Sequence, residues 1–229
     1  MSLARVALGI AAGVWVGYAG VPHLLTAGCA WRGSPAKRRI ALTFDDGPDA
    51  RWTPHILEIL EERGVRGTFF LVGGRAARAP DVARAIAAAG HEIGNHSWSH
   101  RSLWFCSPAQ TAAEIGRAHN FLGYLIGREP RHFRPPWGMV NAAMFGALRR
   151  YGERCVFWSI QSEGLRRQPA PRQAQHVLRR ARPGAIVDLH DAEGVAGAPA
   201  RLGQALPLMI DGLRAAGYDF VTVAELLEG

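Results

Sequence analysis

A chain of 229 residues that is 48% hydrophobic can fill one domain with a sizeable core, or one domain plus an appendage, which excludes whole-chain disorder and coiled coil. Its 27 glycines and 14 prolines imply many turns, but without a G-x-y period, low-complexity tract or internal repeat they exclude a collagen-like chain. The 27 basic against 19 acidic residues give +8; Lys37 is the only lysine and the arginines are spread along the whole chain, so the excess reads as compositional bias and no nucleic-acid partner is expected.

Between Arg5 and Arg32 the only residue able to carry charge is His23, and the stretch is long enough to cross a bilayer as a helix. It reads as a membrane anchor. Alanine and glycine dilute its hydrophobicity, so a cleaved signal peptide and a buried helix stay open as alternatives. Leu25, Thr26, Ala27, Gly28 and Cys29 loosely resemble a lipoprotein cleavage site, with Thr26 where an aliphatic residue is usual; in that reading Cys29 carries lipid. Gly9, Gly13 and Gly17 share one helix face, a weak basis for pairing two chains through the anchor, and chance register explains them as well. Arg32, Lys37, Arg38 and Arg39 outnumber Arg5, so the positive-inside count leaves the domain cytoplasmic while a secretory segment implies the opposite; the side of the membrane stays open. The chain thus divides into an anchor or signal segment with a short linker, 1–37, and a domain, 38–229. With a linker of only residues 32–37, the domain is expected to sit against the bilayer. Cys29, Cys106 and Cys155 leave room for one bridge at most, and none is expected.

From Arg39 onward, short apolar runs alternate with helical patterns. Strands are predicted at 39–44, 68–72, 91–94, 132–134, 155–160, 185–190 and 218–221. Helices are predicted at 52–63, 80–89, 108–126, 141–150, 172–182 and 201–216, several closed by glycine, as at Gly64, Gly90 and Gly217. Seven strands separated by six helices point to parallel βα units. Asp45 and Asp46, Asn95 and His96, Arg134, Gln161 and His190 all fall at strand ends. In a βα barrel the active site is built there, so the distribution argues for an enzyme.

His96 and His100 are four apart, a spacing that puts two imidazoles on one face of a helical turn, as metal sites require. Asp45 and Asp46 add a carboxylate pair tied into the turn at Gly47 and Pro48. Two histidines and one carboxylate suit a tetrahedral divalent metal with an open position, and leave the second carboxylate for proton transfer. Each residue also has a bland explanation: Asp45 as a turn cap, Arg134 as a structural ion-pair partner, His190 and Asp191 as an ordinary polar pair. Trp104 and Phe105 are expected in core or lipid contact rather than on sugar.

Thr43-Phe44-Asp45-Asp46-Gly47-Pro48, His96-Ser97-Trp98-Ser99-His100, Arg134-Pro135-Pro136-Trp137-Gly138 and Ile186-Val187-Asp188-Leu189-His190-Asp191 resemble four of the five motifs of the polysaccharide deacetylase family, carbohydrate esterase family 4 with its NodB homology domain. They occur in the family's order, and the resemblance spans about residues 38–227. It implies a distorted (β/α)7 barrel preceded by the apolar helix, with Asp46, His96 and His100 binding a divalent metal, usually zinc. It further implies Asp45 as general base, Arg134 holding Asp45, and His190 as general acid. Pro136 and Trp137 would border the substrate, a backbone N–H near Trp137 would stabilise the oxyanion, and Leu189 with Trp158 would shape the pocket for the acyl methyl.

The remaining motif departs from the family. Its strand usually runs from a tryptophan into aspartates that orient the acidic histidine, whereas here Trp158 leads through Ile160, Gln161, Ser162 and Glu163 to Gly164 and Leu165. Glu163, Asp188 or Asp191 is left to support His190, and Asp188 puts a charge where the motif is normally apolar. The expected activity is removal of N-acetyl or other small N-acyl groups from amino sugars of an envelope glycan or a lipid-linked saccharide, at the membrane. An O-acetyl polysaccharide esterase and a catalytically weak glycan-binding homologue are the alternatives.

Overall fold

The computed structural model describes residues 3–26, 28–163, 168–194 and 196–228. Ala27 of the lipoprotein-like stretch and Gly164 and Leu165 of the departing motif lie outside the described residues.

The amino-terminal segment is helical throughout: α1 (Leu3–Trp15), a π-helical turn (Val16–Gly20) and α2 (Val21–Leu25). Leu8–Leu25 has a mean hydropathy of 1.4 and is only 6% buried, so the buried-helix alternative fails for this stretch. The π-helical turn lies beside the 3-10 turn Leu103–Phe105: Trp15 Nε1 donates to the Trp104 carbonyl at 3.1 Å and Tyr18 hydroxyl to the Cys106 carbonyl at 3.0 Å. Trp104 packs edge-on against Trp15 and His23, whereas Phe105 is 79% exposed beside them.

Eight strands follow: β1 (Arg39–Asp45), β2 (Thr68–Leu71), β3 (Glu92–Asn95), β4 (His132–Phe133), β5 (Arg154–Cys155), β6 (Ile160–Gln161), β7 (Ala185–His190) and β8 (Asp219–Phe220). Pairing is parallel throughout, in the order β5-β4-β3-β2-β1-β7-β6, with β8 joined only to the start of β1. The central strand β1 is buried along nearly its whole length, as expected of a parallel strand covered on both faces. The helices are α3 (Trp52–Glu62), α4 (Gly73–Arg78), α5 (Pro80–Ala88), α6 (Pro108–Ile126), α7 (Ala142–Tyr151), α8 (Ala170–Arg180), α9 (Ala198–Ala215) and α10 (Val223–Glu228). α6 starts on a capping box between Ser107 and Gln110 and stops where Gly127 adopts a left-handed φ of 72°.

The sequence reading of a distorted (β/α)7 barrel holds, as a curled parallel sheet, with two revisions. The run 155–160 does not form one strand: its start pairs β4 and its end pairs β7, so it spans the seam between the two edges of the sheet. The midpoint of that run pairs with the end of the apolar segment, where Ala30 bridges Val156 in parallel, and the first residue of the predicted linker, Arg32, bridges Ala185 in antiparallel. Gly33 N–H also donates to the Gly184 carbonyl at 2.8 Å. Residues at the junction of the predicted anchor and linker therefore complete the barrel wall.

The main core lies between the outer face of the sheet and the helices, centred on Ile40, Leu42, Phe44, Leu202, Leu206 and Met209. The barrel interior is lined by a smaller cluster that includes Ala41, Phe70, Val156 and Ile186. β2 and β3 bring Phe70 opposite Gly94, where a Cβ would come within 2.5 Å of the Phe70 ring. That glycine lets the ring lie flat under the Arg134 guanidinium, 4.2 Å from its centroid.

Candidate metal and acid–base site

Side chains alternate along a strand, so Thr43 and Asp45 of β1 point inward together, as do Asp188 and His190 of β7. The two strands run in register, Thr43 opposite Asp188 and Asp45 opposite His190. Arg134, wholly buried just past β4, reaches across them. Its Nη1 lies 2.7 Å from Thr43 Oγ1, 2.7 Å from Asp45 Oδ1 and 3.5 Å from Asp188 Oδ1, while Nη2 donates to the Phe157 carbonyl at 3.0 Å. Asp45 Oδ1 is thereby engaged, and Oδ2 faces His96 Nε2 at 3.9 Å.

Asp46, His96 and His100 converge, with one ligand atom from each lying within 4.8 Å of the others. His96 Nδ1 is 2.7 Å from the Arg134 carbonyl, which can only accept; the proton therefore sits on Nδ1 and the Nε2 lone pair faces the cluster. Asp46 Oδ1 is 2.9 Å from His100 Nε2 and 3.6 Å from His96 Nε2, yet it is buried without a hydrogen-bond partner. Acceptor atoms converging at such distances are compatible with a cation among them, and nitrogen with carboxylate is the donor set zinc favours. The residues present thus fit a divalent metal. Burial works against the Asp46 carboxylate, but the imidazoles of His100 and His96 outweigh it and hold its pKa far below the usual range. Burial likewise opposes the His96 imidazolium, and Asp45 and Asp46 reverse the sign and raise its pKa.

Among the described residues, five other than glycine adopt a left-handed φ, and four of them are here: Asp46 (73°), Ser97 (65°), His100 (59°) and Trp137 (61°). Each costs on the order of 1–3 kcal/mol and persists only where its surroundings fix it. Those surroundings are visible for the histidine turn: Ser97 Oγ accepts from His100 N–H, Asn95 Oδ1 from Ser97 N–H, and Asn95 Nδ2 donates to the buried carboxylate of Glu153 at 2.9 Å. Glu153 also lies 2.7 Å from His119 Nδ1. The sequence reading missed this support, since Glu153 and His119 are remote from every motif.

Of the three carboxylates left to support His190, Glu163 meets its outer nitrogen, with Oε2 2.7 Å from Nδ1 as an ion pair rather than an aligned hydrogen bond. Asp188 stands two residues back on the same strand. Burial disfavours the imidazolium, yet Asp188, then Glu163 and Asp45, outweigh it and hold the His190 pKa well above the ordinary value. Asp188 is raised to about 7, chiefly by burial, with His190 pulling the other way and Asp45 adding to the rise. Asp191 serves another purpose. It accepts from Thr53 Oγ1 and packs against Gly47, where a Cβ would collide with it, and burial raises its pKa to about 7 against the Thr53 hydrogen bond.

Trp137 is 58% exposed on the rim, its ring 5.3 Å from that of His100, and Pro136 is buried behind it. Trp158 packs beside Gly138 and lies 5.5 Å from the Arg134 guanidinium, inside the barrel mouth. Leu189 is not in the site. It is buried in the core between sheet and helices, because the period of two that turns Asp188 and His190 inward turns Leu189 outward. The acyl-pocket role expected for it is corrected accordingly.

Residues 32–156 match the family model described as polysaccharide deacetylase, over half of the chain. The chain is 34% identical over 206 residues to a peptidoglycan-N-acetylglucosamine deacetylase of Bacillus cereus, covering 86% of this chain and 92% of that protein. It is 36% identical over 155 residues to a chitooligosaccharide deacetylase of Bradyrhizobium, covering 67% and 71%. A crystal structure of a peptidoglycan N-acetylglucosamine deacetylase bound to a naphthyl-substituted N-hydroxybenzamide superposes with a TM-score of 0.83 at 31% identity, covering 90% of this chain and 95% of that one. Fold and sequence together define an enzyme of the carbohydrate deacetylase class. The chain belongs to the polysaccharide deacetylase family, carbohydrate esterase family 4.

Proposed function

We propose that this protein is a membrane-anchored, metal-dependent amide hydrolase that removes N-acetyl or similarly small N-acyl groups from amino sugars of an envelope glycan or lipid-linked saccharide. The observation that carries the reading is the register of β1 on β7: it sets Asp45 directly opposite His190 beside the convergent Asp46, His96 and His100. When bound by those three residues, a divalent cation, zinc by its donor set, polarises the acyl carbonyl and acidifies water. Asp45, with Oδ1 held by Arg134 and Oδ2 turned to the cluster, takes the proton of the attacking water. His190, its imidazolium favoured by Asp188 and Glu163, gives its proton to the departing amine as the C–N bond breaks. The N–H of Trp137 would donate to the developing oxyanion and its exposed ring would stack on a sugar face. Leu8–Leu25 is proposed as the anchor, which makes glycan close to the bilayer the natural substrate.

The test is acetate release from an N-acetylglucosamine oligomer by the full chain in detergent, with bound metal measured on the same preparation. Wild type should release acetate, and His96→Ala should lose metal and activity together. A loaded metal with no acetate released would redirect the reading to another acyl group or to a lipid-linked sugar, and an empty site at neutral pH would sink the metal assignment.

Glu163→Gln tests the acid. A raised pKa keeps the acidic form of His190 below that pKa, so activity is lost on the alkaline side as pH rises through it. Removing the Glu163 charge should move that alkaline limb to lower pH and reduce kcat roughly tenfold at neutral pH. An unmoved limb would assign the control of His190 to Asp188 instead.

A further inference from the structure

Ala30 N–H donates to the Cys155 carbonyl at 2.8 Å and the Ala30 carbonyl accepts from Phe157 N–H at 2.7 Å, which places Ala30 opposite Val156 in parallel register. One residue back along both segments, that register sets Cys29 opposite Cys155. Both side chains belong to one apolar cluster, Cys155 buried within it and Cys29 half-buried against it. Register partners on neighbouring strands are about 4.8 Å apart, inside the range of about 4.4–6.8 Å between Cα atoms that a disulfide spans. The remaining thiol, Cys106, is turned to the Ser102 carbonyl at 3.5 Å.

We propose that Cys29 and Cys155 are a redox-active pair that closes to a disulfide in an oxidising compartment and fastens the base of the apolar helix to the barrel seam. The compartment rests on the envelope reading above; the capacity to close does not. The thiols are unequal in access: Cys29 is half-buried, whereas Cys155 is buried and burial pushes its thiol up. Cys29 therefore supplies the thiolate. It attacks one sulfur of a disulfide-bearing oxidant, forming a mixed disulfide and releasing one thiolate. Cys155 passes its proton to that thiolate and attacks the Cys29 sulfur, and the second thiolate leaves and takes up the proton that Cys29 had shed. The pair loses two electrons and two protons, and the oxidant becomes two thiols. The closed loop would contain Asp46, His96, His100 and Arg134, so the bridge would staple the half of the barrel that carries the metal site. It also consumes the thiol that the lipoprotein alternative needs.

The experiment is a thiol count on the purified full chain in detergent, incubated with oxidised glutathione, denatured and alkylated, followed by peptide mapping. Of the three thiols in the sequence, one, Cys106, should remain reactive, and digestion should yield a peptide joining Cys29 to Cys155. Reductant should restore all three. In Cys29→Ser, Cys155 should stay free or end as a glutathione adduct and never bridge to Cys106. Three thiols surviving oxidation, a glutathione adduct on Cys29 that does not close, or a thioether-linked lipid on Cys29 would each overturn the proposal. Thiols are read rather than acetate, so an inactive preparation that forms the bridge, or an active one that does not, keeps this inference and the hydrolase reading separate.

Discussion

Arg134→Met should unfold at markedly lower urea than wild type and should have lost at least about a hundredfold in acetate release. Arg134 is wholly buried and its guanidinium is shared among Thr43, Asp45, Asp188 and the Phe157 carbonyl. Methionine fills the volume above Phe70 but leaves buried carboxylates without their cation, a loss on the order of 3–5 kcal/mol. The pH dependence identifies the cause. The Asp188 pKa is raised to about 7 by burial in the folded state, so it favours folding when protonated; that contribution is fully present below its unfolded value of 3.8 and is lost as pH rises through about 7. Removing the nearby cation makes the ionised form costlier still. The stability gap between Arg134→Met and wild type should therefore be large at pH 8 and narrow at pH 5, read from urea midpoints at both. A gap that stays constant with pH would mean that packing against Phe70, not charge, is what Arg134 contributes. Arg134→Lys separates the charge from the fork, because it restores a cation that cannot reach both Asp45 and the Phe157 carbonyl.

The same residue shows how far the sequence could be read. Arg134 was legible as the partner of Asp45 because it stands in a recognisable motif, and the approach of His96 to His100 was legible because their spacing is local, whereas Asp46 joins them only through the fold. Strands β1 and β7 were legible as short, largely apolar runs whose polar residues, Thr43, Asp45, Asp188 and His190, share one face. The run 155–160 looked like one more such strand, and composition could not reveal that it crosses the barrel seam. Hydrophobicity records burial, not which neighbour supplies the hydrogen bonds, and here Ala30 from the end of the supposed anchor supplies two of them. Leu189 was misplaced for a different reason: adjacency to His190 in sequence puts its side chain on the opposite face of the strand. Glu163 could be named only as one of three carboxylates, since the chain between Gln161 and Glu163 no longer follows the strand period once β6 ends. The left-handed φ values at Asp46, Ser97, His100 and Trp137 had no sequence signal, because glycine, the usual marker, is absent from all four.

Asp45→Asn should abolish most of the activity while sparing the metal, and that split distinguishes the two adjacent aspartates. Asparagine preserves the shape of Asp45, and its Oδ1 can still accept from Arg134, so the local packing around a side chain that is only 4% exposed should survive. What it cannot do is take a proton through the oxygen that faces the cluster. Loss of a general base of this kind amounts to roughly 10²–10⁴ in rate, expected in kcat with KM and metal content near wild type. Asp46→Asn is different: its Oδ1 is the atom nearest both His100 and His96, and the variant should lose metal along with turnover. If Asp45→Asn also emptied the metal site, Asp45 would be a ligand rather than the base, and the proton would have to go elsewhere. If wild type bound glycan with full metal and neither variant changed a rate, the chain would be a binding homologue, and the alignment of Asp45 with His190 across β1 and β7 would be a relic of the fold.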